Sequence, residues 1–112
     1  MQKSDLIDLE AAQRALLIDE PTILELVLQF LYDKDHYTAP LKSSLAQRDW
    51  KNLIAYAHRL KGSANNLRIH GLGEPALYLE KAAEQKQSDV CREQIYLIEE
   101  RFSTIRELVD RD

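Results

Sequence analysis

His58, Lys61 and Gly62 have residue types and a spacing that suit phosphoryl chemistry. An unperturbed imidazole titrates near about 6.5, so much of it is neutral and nucleophilic at pH 7. A lysine one helical turn on can place a cation beside phosphoryl oxygens and favour the charged product. Gly62 follows at i+4, where any side chain would crowd an approaching partner. A glycine inside a helix costs about 0.5–1 kcal/mol relative to alanine, so its presence there calls for a reason. Ile54 and Ala55 are expected to form an exposed apolar docking patch beside the imidazole, with Arg59 and Asn65 as further docking residues. Ser63 reads as an ordinary helical serine.

These residues need a helix to carry them. Trp50, Leu53, Ala57, Leu60, Ala64 and Leu67 recur at spacings of 3, 4, 3, 4 and 3, which predicts one buried seam. At 100° per residue His58 lies roughly 130° from the middle of that seam, so its ring is predicted to face solvent. Asp49 is the expected N-cap, and the helix is expected to fade near His70-Gly71.

Four more helical stretches can be read around it. A short one runs from Asp8 to Leu17, capped by Asp8. A long one opens at Asp19-Glu20-Pro21 and continues to Arg48, with Pro40 expected to kink or split it. Another runs from Gly73 or Glu74 to Lys86, with Leu72, Ala76, Leu79 and Ala83 facing inward. Ser88 or Asp89 should cap the last, whose inner face is Ile95, Ile98, Phe102, Ile105 and Val109. The predicted fold is all-α: an antiparallel four-helix bundle with a short additional N-terminal helix.

Composition narrows the function. The 112 residues, 45% apolar and 30% charged with three glycines and three prolines, predict one soluble helical domain over residues 1–112. The net charge of -4 argues against a nucleic-acid partner, which requires a basic face. No apolar run approaches the roughly 18 residues of a membrane span, and the first residues lack the apolar core of a secretion signal. A single cysteine, Cys91, fits a reducing compartment, and the expected location is cytoplasmic. His36, His70 and Cys91 show no metal-ligand spacing. No phosphate-cradling glycine loop or nucleophile elbow is present, so an ATP-binding kinase is not housed here.

The run His58-Arg59-Leu60-Lys61-Gly62-Ser63-Ala64 resembles the signature of histidine phosphotransfer (HPt) domains, His-x-Leu-Lys-Gly-Ser-Ser/Ala. The likeness extends upstream through Ile7-Asp8-Leu9-Glu10-Ala11-Ala12, Asp19-Glu20, Phe30, Leu45 and Asp49. Downstream it continues through Leu67, Leu72, Ala76, Leu79 and Glu80. The resemblance implies a bundle with its active histidine exposed midway along one helix and no kinase activity of its own. His58 would take a phosphoryl group from the aspartyl phosphate of one response-regulator receiver domain and give it to another. Lys61 would stabilise the phosphoryl group and Gly62 would leave steric access. No cofactor would be bound, Mg²⁺ being supplied by the receiver. The module would act as a monomer, at the end of a hybrid sensor kinase anchored in the inner membrane or as a free shuttle, without touching the membrane itself. One departure is Arg68, where the family often has glycine; it is expected to lengthen the helix or add a cation near the docking face. The competing reading is a helical adaptor that binds proteins without chemistry.

Overall fold

Three aspartates start helices as the sequence predicts. The carboxylate of Asp8 accepts the Ala11 N–H at 3.0 Å, that of Asp19 the Thr22 N–H at 2.9 Å, and that of Asp49 the Asn52 N–H at 3.3 Å. Each satisfies an amide that the helix itself leaves unpaired, a contribution of about 1 kcal/mol. The computed structural model describes residues 2–110. After a 3-10 turn at Lys3–Asp5 come α1 (Leu9–Leu16), α2 (Glu20–Tyr32), α3 (Lys34–Ala46), α4 (Trp50–Asn66), α5 (His70–Glu84) and α6 (Ser88–Asp110). No strand occurs among the described residues, and the helices form a bundle. No described helix is long and apolar enough to cross a membrane.

Helix α4 packs most extensively on α5. Around the core, α5 also packs on α6, α3 lies between α4 and α6, α2 rests on α6, and α1 rests on α2. Leu53, Ala57, Leu60 and Ala64 are buried on α4, and Leu72, Ala76, Leu79 and Ala83 on α5. The inner face of α6 is buried from Cys91 through Ile95, Ile98, Phe102 and Ile105 to Val109. Trp50 and Leu67, at the ends of the α4 seam, are only partly buried. The rings of Phe30, Tyr37 and Phe102 join α2, α3 and α6, with centroids 4.8 to 6.2 Å apart.

The helix expected from Asp19 to Arg48 is divided in two, but at Asp33 and not at Pro40. The Asp33 N–H donates to the Phe30 carbonyl at 3.2 Å, a tightened last turn, and α3 begins at the next residue. The segment Asp33-Lys34-Asp35-His36 buries nothing in the core, so packing does not hold it to α2. Pro40 lies inside α3 between buried Thr38 and Leu41, and these anchors keep the turn helical despite the missing N–H.

The stop expected at His70-Gly71 also moves. Helix α4 ends at Asn66, and Arg68 turns the chain with φ at 58°. Arg68 thus closes the helix instead of lengthening it. Its guanidinium donates to the Asn65 carbonyl at 2.7 Å, and its own carbonyl accepts the Asp8 N–H at 3.0 Å. Gly71 is buried inside α5, which begins three residues before Gly73. A Cβ on Gly71 would meet Leu6 Cδ2 at 2.7 Å and Ile105 Cδ1 at 3.2 Å. Close packing of the N-terminal segment is therefore its role, and its N–H donates to the Leu6 carbonyl at 2.8 Å. Ser88 and Asp89 lie within the first turn of α6, where Ser88 meets Arg48 and Asp89 pairs with Arg92.

Leu17, Arg48 and Lys86 share the left-handed backbone of Arg68, each just beyond a helix end. A side chain in that region costs about 1–2 kcal/mol, which glycine avoids. Arg68→Gly should therefore raise stability by about 0.5–1 kcal/mol in chemical denaturation, after allowing for glycine's greater unfolded freedom. A fall in stability would mean that the Arg68–Asn65 bond outweighs the backbone strain.

Candidate functional site

The seam that buries Ala57 and Leu60 turns His58 outward, and its side chain is 66% exposed. Its Nδ1 lies 3.1 Å from Oε2 of Glu80, on α5. The other oxygen of that carboxylate, Oε1, accepts from Lys61 Nζ at 2.8 Å. One carboxylate thus joins the two residues that the motif placed a turn apart. Glu80 is well covered, its side chain 14% exposed, while Lys61 is 24% exposed.

Covering Glu80 removes water from its carboxyl and by itself raises its pKa. The hydrogen bonds and charges of Lys61 and His58 outweigh that and leave the carboxyl below the usual range. Glu80 is therefore ionised at neutral pH and can only accept. A neutral His58 must then carry its proton on Nδ1, which leaves the Nε2 lone pair free on an exposed ring. The sequence suggested no such role for Glu80. Its only signal was a place in the Leu79-Glu80 pair; a partner 22 residues away becomes visible once α5 is set against α4.

Gly62 is exposed, and a Cβ there would meet no heavy atom within 4 Å. Its own chain therefore does not need a glycine at this place, which removes the packing explanation. The docking candidates are less uniform than expected. Ala55 and Arg59 are exposed, with the Arg59 guanidinium 5.4 Å from the centre of the Tyr56 ring. Ile54 is half-buried against the core, so the apolar patch is smaller than the sequence suggested. Asn65 is exposed, but its amide leans over Gly73: a Cβ on Gly73 would come within 2.1 Å of Asn65 Oδ1. That amide fills the space glycine leaves where α4 passes α5. Among the described residues no group of three His, Cys, Asp or Glu side chains is placed to hold a metal.

A lowered carboxyl pKa makes stability depend on pH with a definite sign. The unfolded chain binds the Glu80 proton first as pH falls, so the contribution is full above the usual carboxylate range and is lost through the lowered folded value. The stability difference between wild type and Glu80→Gln should therefore be largest near neutral pH and shrink on acidification in urea unfolding. A difference that is flat with pH would mean that the carboxylate is not held by its two donors.

No curated protein and no solved structure matches the chain. The family model described as Hpt domain matches residues 25–110, which span α4, α5, His58 and Glu80. The chain therefore belongs to the Hpt domain family.

Proposed function

We propose that the protein is a phosphocarrier in a two-component phosphorelay, with His58 as the residue that holds the phosphoryl group. The observation that carries this reading is the bond between Nδ1 of His58 and the ionised Glu80 on an outward-facing ring. In the forward step, the Nε2 lone pair attacks the phosphorus of a receiver's aspartyl phosphate. The N–P bond forms as the P–O bond breaks, and the aspartate carboxylate leaves with the electron pair. The ring becomes positive, and its Nδ1–H then faces the Glu80 carboxylate, which stabilises that charge without taking the proton. The reverse sequence delivers the group to a second receiver.

Lys61, held beside the ring by the same carboxylate, offers a cation to the phosphoryl oxygens. Gly62 gives the receiver's backbone access, while Ala55, Arg59 and the exposed part of Ile54 form the docking surface. The module binds no cofactor, the receiver supplies Mg²⁺, and the chain has no kinase activity of its own. The shared core supports reading residues 1–112 as one domain and the bundle as four antiparallel helices, closed by α1. We place it in the cytoplasm as a monomer, as the terminal module of a hybrid sensor kinase, with receivers and not nucleic acid as partners.

Mixing with a phosphorylated receiver should add one phosphoryl group to the peptide containing His58, read by mass spectrometry under neutral conditions. His58→Gln should abolish that gain with its helical circular dichroism intact. Uptake that persists in this variant would overturn His58 as the carrier residue, and no uptake by the unaltered chain would favour the adaptor reading. Gly62→Ala should separate fold from function: about 0.5–1 kcal/mol more stable, since the helix gains an alanine in open space, yet slower in transfer. Unchanged transfer would remove Gly62 from the docking surface.

A further inference from the structure

A groove of about 410 Å³ lies between the C-terminal half of α3 and the first turns of α6. Helices α4 and α5 carry His58, Lys61 and Glu80, whereas this groove lies on the α3–α6 pair across the bundle. The phosphotransfer reading makes no use of it. Its lining includes Leu45, Ala46, Ile95 and the exposed ring of Tyr96. Around these stand the cationic heads of Lys42, Arg48 and Arg92.

The charges there are unevenly matched. Lys42 pairs with Glu99 at 2.9 Å, and Arg92 with Asp89 at 3.0 Å. Arg48 has only the hydroxyl of Ser88 and meets no carboxylate among the described residues. With Asp89 included, three cations meet two carboxylates and Arg48 is left unmatched, in a protein whose net charge is -4. An excess of cations beside an apolar surface calls for a ligand with both characters.

We propose that this groove binds a small amphiphilic anion, with a phosphate or carboxylate head held by Arg48 and its apolar body laid against Leu45, Ile95 and Tyr96. A guanidinium offers paired donors that match either head group. The volume falls within the roughly 300–1,000 Å³ of small-ligand sites. A stable protein partner would need roughly 800 Å² on each side, more than nine lining residues provide. The observations thus favour a small ligand over an acidic peptide.

The test uses 1-naphthyl phosphate with the isotope-labelled whole chain, followed by NMR. Amide shifts should saturate at millimolar probe and cluster at the end of α3 and the start of α6. 1-Naphthol, which loses the charge-assisted interaction, and inorganic phosphate, which loses the burial of the apolar body, should each bind at least about tenfold more weakly. Arg48→Asn should weaken the probe by a similar factor, and asparagine tolerates the left-handed backbone at that position. Arg92→Gln leaves the Arg48–Ser88 contact in place and should also weaken binding, so a folding defect in one variant does not remove the test. Shifts confined to the His58 face, affinity unchanged by both variants, or tighter occupancy by an acidic peptide would overturn the proposal. None of these outcomes depends on whether His58 takes up phosphate.

Discussion

The arrangement depends on one partly desolvated carboxylate with two donors. Taking Glu80 out of water opposes its charge, and a covered charge without partners would be strongly destabilising. Lys61 and His58 supply those partners, and both come from the neighbouring helix. The same contact therefore couples the packing of two helices to the exposed His58 ring. It ties α5 to α4, sets the proton on one ring nitrogen, and holds the Lys61 ammonium on the other oxygen of the same carboxylate. A register shift of α5 along α4 would break both bonds at once.

That register is held by backbone proximity. Glycines 71 and 73 lie in the first turn of α5, and their missing side chains leave room for Leu6 and for the Asn65 amide. Buried alanines continue the close approach at Ala57 and Ala64 on one helix and at Ala76 and Ala83 on the other. Gly62 contrasts with both, because nothing of its own chain fills the space beside it. Gly71 and Gly73 thus admit side chains of their own chain, whereas Gly62 has open space beside it.

The helix ends show the opposite economy. Four left-handed turns are made by Leu17, Arg48, Arg68 and Lys86, with no glycine among them. Three are basic, and a cation close to a helix C-terminus offsets some strain by meeting the partial negative charge there. Arg68 does so through its bond to the Asn65 carbonyl. The remaining cost is carried by the core, in which Leu53, Leu60, Leu72, Leu79 and Ile98 are fully enclosed.

The periodic apolar residues by themselves determined much of this protein. The 3-4 spacing from Leu53 to Ala64 made α4 a helix and turned His58 to solvent, because side-chain direction follows from 100° per residue. The capping aspartates were equally legible, since a cap acts within three residues. Local sequence was a poorer guide where packing decided between close alternatives. Pro40 stayed helical because Thr38 and Leu41 are buried beside it, and Gly71 joined α5 because Leu6 needed its space. The role of Glu80, the half-burial of Ile54 and the seat of the Asn65 amide were decided only by the tertiary structure. Each depends on how one helix lies against another, and that distance and rotation are set by the whole core at once.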